Sequence, residues 1–136
     1  MSTEPMKTNN LDSLFATFPR VIAAWHFGST SAGRARPDSD IDIGVLFDAP
    51  PTLDEWLDLH AALQDALNAG NLDLVVLNGK TPVLRYAAIC GHRLYCRSLE
   101  EMATFSSLTA RQYEDSMALL ARGFAARKAA LARAKA

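Results

Sequence analysis

Apolar and polar residues alternate along this chain in a way that marks out its elements before any chemistry is considered. Leu11, Leu14, Phe15 and Phe18 recur at helical spacing, and Pro19 ends that stretch. The run 20–27, "RVIAAWHF", is short, apolar and closed by Gly28-Ser29, which predicts a buried strand. A second strand is expected over Asp40–Phe47. After "DAPP", Thr52 with Glu55 three residues on forms a capping-box pattern for a helix. Its expected inner stripe is Leu53, Trp56, Leu57, His60, Leu63 and Leu67, with Ala69-Gly70 closing it. The run 71–78, "NLDLVVLN", reads as a third strand. Thr81-Pro82 then predicts an N-cap followed by proline in the first helical position, opening a helix to about Cys90. A short edge strand is expected over 93–97. Ser98 with Glu101 caps a last, long helix carrying Met102, Phe105, Tyr113, Met117, Leu120 and Phe124.

These elements predict an α+β fold, a small mixed β-sheet flanked by helices. At 136 residues, with no repeat, low-complexity tract or linker, a single domain over 1–136 is expected, its core at about 10–97 and its C-terminal helix at about 98–130. Hydrophobic residues at 49% and charged residues at 21% argue against disorder. A net charge of −1 gives no global attraction for nucleic acid or an anionic membrane, so a phosphate-bearing ligand needs a local site. No apolar run approaches membrane-spanning length and "MSTEPMKTNN" does not resemble a signal peptide, so a cytoplasmic location is expected. Cys90 and Cys96 lack redox or zinc spacing and are expected simply to pack.

The candidate chemistry lies between the first two strands. Asp40 and Asp42, two residues apart on a strand, share one face, while Ile41 and Ile43 turn to the other. Adjacent carboxylates repel and resist burial unless a positive charge joins them, and an all-oxygen site selects a hard ion such as Mg²⁺. Taken alone, Asp-x-Asp is more commonly a solvated strand end. Gly28-Ser29 ends an apolar strand where backbone could approach a phosphate, although an ordinary turn explains the pair equally well. Asp73 interrupts the apolar third strand. It is an exposed strand residue, or, if that strand lies beside the second, the third member of a carboxylate cluster able to hold two metals about 3.5–4 Å apart. His26, His60 and His92 show no ligand spacing, so His26 is expected to be packed or hydrogen-bonded. Trp25, Phe27 and Trp56 are expected in the core.

Gly28-Ser29, a ten-residue spacer and Asp40-Ile41-Asp42 together resemble the signature of the DNA polymerase beta-like nucleotidyltransferase superfamily. Within it, "FGSTSAGRARPDSDIDIGVLF" with "LDLVVLNGKTPVLRYAAICGHRLYC" is similar to minimal nucleotidyltransferases, the MntA-type antitoxins of HEPN–MNT toxin–antitoxin pairs. The likeness runs from about Trp25 to Cys96 and more weakly through the final helix. It implies that Gly28 and Ser29 bind the triphosphate of ATP and that Asp40 and Asp42 ligate two Mg²⁺ ions. It further implies that Asp73 binds the catalytic metal and helps deprotonate the acceptor. The implied reaction moves AMP onto a tyrosine of a cognate HEPN ribonuclease toxin, with which the chain would form a hetero-oligomer. Arg34 and Arg36 in the spacer read as solvated residues or as phosphate or partner contacts.

Three function classes follow: a toxin-modifying nucleotidyltransferase, a non-catalytic antitoxin acting by binding, and a small-molecule nucleotidyltransferase of the aminoglycoside-modifying kind. An intact set of three aspartates disfavours the second. A length that leaves no room for an acceptor domain disfavours the third. The tail from residue 117 onward carries Arg122, Arg127, Lys128, Arg133 and Lys135 with no acidic residue. It reads either as a solvated helix end whose cations suit the macrodipole or as a docking surface for an acidic partner.

Overall fold

Strand β2 (Ile41–Phe47) carries two alternating sets of side chains, and each set builds one side of the protein. A computed structural model describes residues 11–28 and 40–134. In chain order the elements are α1 (Leu11–Ala16), β1 (Val21–Phe27), β2, α2 (Leu53–Leu67), β3 (Leu72–Val76), α3 (Pro82–Ile89), β4 (His92–Cys96) and α4 (Leu99–Ala134). The four strands form one sheet in the order β3-β2-β1-β4, with β1 antiparallel to both neighbours and β3 parallel to β2. The expected mixed sheet flanked by helices is therefore present, with β4 on its edge.

Ile43, Val45 and Phe47 enter a core with Leu72 and Leu74 of β3, Leu11 and Phe15 of α1, and Leu59 and Leu63 of α2. The alternate positions face a second cluster in which Trp25, Phe27 and Leu46 meet Leu77, Ala88 and, from α4, Met102 and Phe105. Gly44 lies between Asp42 and Leu46, and a Cβ there would stand 3.2 Å from Leu77 Cδ2 and 3.3 Å from Ala88 Cβ. The absent side chain is what lets α3 settle directly on the sheet. Both apolar faces of the sheet are thus covered, one by α1 and α2, the other by α3 and α4.

Local signals determine most boundaries. Thr52 and Glu55 form the reciprocal capping box, Thr81 accepts from the Leu84 N–H ahead of Pro82, and Ser98 Oγ accepts from the Glu101 N–H at 3.2 Å. The inner stripe of α2 departs from expectation. Leu59 and Leu63 are buried, with Trp56 and Leu67 packed against them, whereas Leu53 and Leu57 are 71% and 47% exposed. The sheet selects the positions 56, 59, 63 and 67, a phase that turns Leu53 and Leu57 outward. The helix also ends earlier than Ala69-Gly70, at Asn68, whose left-handed backbone (φ 49°) is one asparagine tolerates. Cys90 is exposed rather than packed, because it caps α3 on its outer side; Cys96 is half-buried. Trp25 and Phe27 are buried as expected, and Trp56 is half-buried at the sheet edge.

One buried hydroxyl, Thr109 Oγ1 on α4, has no hydrogen-bond partner among the described residues. An unsatisfied buried polar atom costs folding free energy, and valine matches threonine in shape. Thr109→Val should therefore raise stability by about 1 kcal/mol in chemical denaturation. An unchanged or lowered midpoint would show that the hydroxyl is satisfied in solution.

Candidate active site

The in-register pairing of β2 and β3 sets Asp42 directly opposite Asp73. Parallel neighbours in register point the same way, so both carboxylates stand on the sheet face that α3 and α4 cover. On the other side of β2, Asp42 is paired with Phe27, the last residue of β1, and Gly28 follows at once. Asp40 immediately precedes β2 and is exposed. The sheet thus gathers Gly28, Asp40, Asp42 and Asp73 at one end of its strands.

Electrostatics marks Asp42 as the centre. Burial holds its carboxyl above the ordinary carboxylate value, the negative charges of Asp73 and Asp40 push it further, and a hydrogen bond with Asp73 adds to the effect. The strand pays for this arrangement with repulsion that an incoming cation would cancel. Among the described residues no three carboxylate, imidazole or thiolate side chains close into a ready-made metal cage. The oxygen donors of Asp40, Asp42 and Asp73 suit a hard ion such as Mg²⁺, which completes its shell with water and substrate phosphates.

Gly28 fits against this centre by lacking a side chain. Its φ is +84°, and a Cβ would overlap Asp42 Oδ2. Both the backbone conformation and the contact exclude other residues. Gly28→Ala is expected to displace the Asp42 carboxylate, lowering nucleotide affinity and costing about 1–2 kcal/mol of stability from the left-handed conformation. Unchanged nucleotide titration and thermal melting in that variant would remove Gly28 from the site. Ser29, Arg34 and Arg36 lie outside the described residues.

Asp73 is held from the opposite side by a device that hydrophobic periodicity does not reveal. Trp56 Nε1 donates to Leu74 O and His60 Nε2 lies against Leu72 O, each at 3.1 Å, so α2 grips the β3 backbone on both sides of Asp73. The two rings stack on one another with centroids 4.9 Å apart. The pair also satisfies carbonyls that an edge strand would leave open. Its signal in the sequence is two N–H-bearing rings four residues apart on one helix. His26 is buried, and burial together with the neighbouring His92 charge lowers its proton affinity, consistent with a packed residue rather than a base.

The profile of the family described as "Polymerase beta, Nucleotidyltransferase" matches residues 9–100. No protein of curated function matches by sequence at a significant level. A chain from a crystal structure of a toxin–antitoxin with AMP-PNP is 26% identical, with a TM-score of 0.70, covering 83% of this chain and 91% of that one. A chain from the tri-AMPylated Shewanella oneidensis HEPN toxin in complex with MNT antitoxin is 25% identical, with a TM-score of 0.62, covering 82% and 87%. A chain of the MntA–HepT toxin–antitoxin, at 24% identity, a TM-score of 0.63 and the same coverage of 82% and 87%, shares the fold.

Proposed function

The chain belongs to the polymerase beta nucleotidyltransferase family, and from that membership we propose that it is an antitoxin that transfers AMP from ATP to a tyrosine hydroxyl of a cognate HEPN ribonuclease toxin. The observation that carries this reading is Asp42 set opposite Asp73 at an open sheet edge, beside a glycine that only a missing side chain can place there. Similarity to toxin–antitoxin chains, one crystallised with AMP-PNP and one with a tri-AMPylated toxin, supports the donor and the acceptor.

In this reading the tyrosine oxygen attacks the α-phosphorus of ATP in line. The new O–P bond forms as the bond to pyrophosphate breaks, and the tyrosine proton passes toward Asp73. Two Mg²⁺ ions, held by Asp40, Asp42 and Asp73, would neutralise the phosphates and lower the pKa of the attacking hydroxyl. Gly28, with Ser29 beside it, lets the triphosphate approach the backbone. Asp42, between the other two carboxylates, fixes the position of the reacting phosphate. The exposed edge leaves room for a protein-borne tyrosine.

The test is to incubate the protein with Mg²⁺, its toxin and ATP labelled on either the α- or the γ-phosphate. Label on the toxin from α-labelled ATP alone is expected, with a tyrosine carrying the adenylyl group by mass spectrometry. Neutralisation of the ribonuclease without ATP and without label would replace this reading with one of inhibition by binding.

A further inference from the structure

Helix α4 outruns the domain it belongs to. Its 36 residues span about 54 Å at 1.5 Å per residue. Its start lies at the Ile22 end of β1, where Arg97 N donates to Ile22 O, and Phe105 then packs on Trp25. The helix therefore lies on the sheet face that carries Asp42 and Asp73. It stacks Tyr113 on Tyr86 of α3 at 4.0 Å and continues to Ala134. Every residue over 118–134 is exposed.

The packing face does not stop where the domain stops. Met102, Phe105, Thr109 and Tyr113 lie on one side of α4, against the sheet and α3. The same helical spacing extends through Leu120, Phe124, Arg127 and Leu131. Leu120, Phe124 and Leu131 are 51%, 67% and 57% exposed. A solvated helix end has no use for large apolar residues in the phase of a packing stripe. The cations Arg122, Arg127, Lys128 and Arg133 accompany them with no acid from Met117 onward. Two such segments laid together would bring like charges into contact, which argues against a second copy of this chain and for an acidic partner.

We propose that residues 118–134 of α4 are a docking arm for the toxin, gripping an acidic surface with an apolar strip flanked by cations. The proposal rests on the function reading above for the identity of the partner. The arm continues the helix that packs on the sheet face carrying Asp42 and Asp73. Affinity then resides in the arm, chemistry in the sheet.

The full chain carrying Phe124→Ser, Arg127→Glu and Lys128→Glu tests this, because all three positions are exposed and make no contact with the core. Circular dichroism and MgATP titration should match the parent protein. Sedimentation with the cognate toxin, without ATP, should show binding weakened about tenfold or more. In the transfer assay the KM for toxin should rise while kcat at saturating toxin stays unchanged. Loss of toxin binding supports the arm whether or not AMP is transferred, so failure of the transfer reading remains separable. Toxin binding equal to the parent's overturns the arm even if transfer is intact, as does a parent protein that binds no toxin. A parent that is dimeric alone and becomes monomeric in the variant also overturns it, in favour of self-association.

Discussion

Asp42→Asn is expected to reduce AMP transfer to background while leaving the protein folded and, without divalent cation, more stable by a few degrees in thermal midpoint. Asp42 is the most constrained of the three carboxylates: partly buried, opposite Asp73 and two residues from Asp40. Asparagine keeps the shape but removes the charge that would hold a metal, so the chemical step loses its electrostatic support. The stability gain has the opposite origin. Burial first, then the charges of Asp73 and Asp40, raise the folded-state carboxyl above its ordinary value of 3.8. A raised carboxyl contributes stability that is complete below the unfolded value and lost as pH climbs through the folded one. Metal-free parent protein should therefore weaken relative to Asp42→Asn as pH rises from the ordinary aspartate range toward neutrality. Mg²⁺ should reverse that difference, since only the parent binds it there. Full transfer by the variant, or melting curves with the same pH dependence in both proteins, would remove Asp42 from the metal site.

Asp73→Asn separates binding from chemistry. Asp40, Asp42 and the Gly28 cradle remain, so calorimetry should still register MgATP. Transfer should fall to a small residual rate, because the proton of the acceptor hydroxyl loses its destination. The KM for toxin should not move, since Asp73 is no part of the arm. A second readout comes from Asp42, whose carboxyl is raised in part by Asp73. Its titration, followed by NMR in the metal-free protein, should move down toward the ordinary aspartate value without reaching it, because burial remains the larger cause. Parent-like transfer would return Asp73 to an exposed strand residue that faces Asp42 by accident of register.

Much of this protein was legible in the sequence because the relevant physics is local. Thr52, Thr81 and Ser98 satisfy N–H groups within the next turn, so the helix starts could be read without knowing the fold. Alternation in β2 put Asp40 and Asp42 on one face and Ile41 and Ile43 on the other, whatever the neighbours proved to be.

Other features depended on contacts between distant segments. Nothing near Asp73 states that β3 pairs in parallel with β2, in the register that sets it against Asp42 rather than against Ile41 or Ile43. A shift of one residue would have sent it to the opposite face. The phase of α2 likewise came from the sheet, which took Trp56, Leu59 and Leu63 and left Leu53 and Leu57 in solvent. The sequence by itself determined the elements, their caps and which carboxylates could act together, since each depends on bonds within a few residues. Only the tertiary structure decided that Asp73 joins Asp42 and that α4 runs on past its last packed residues with its apolar stripe uncovered. Both follow from strand register and from where the domain stops covering the helix, which are properties of the packed fold and not of any segment taken alone.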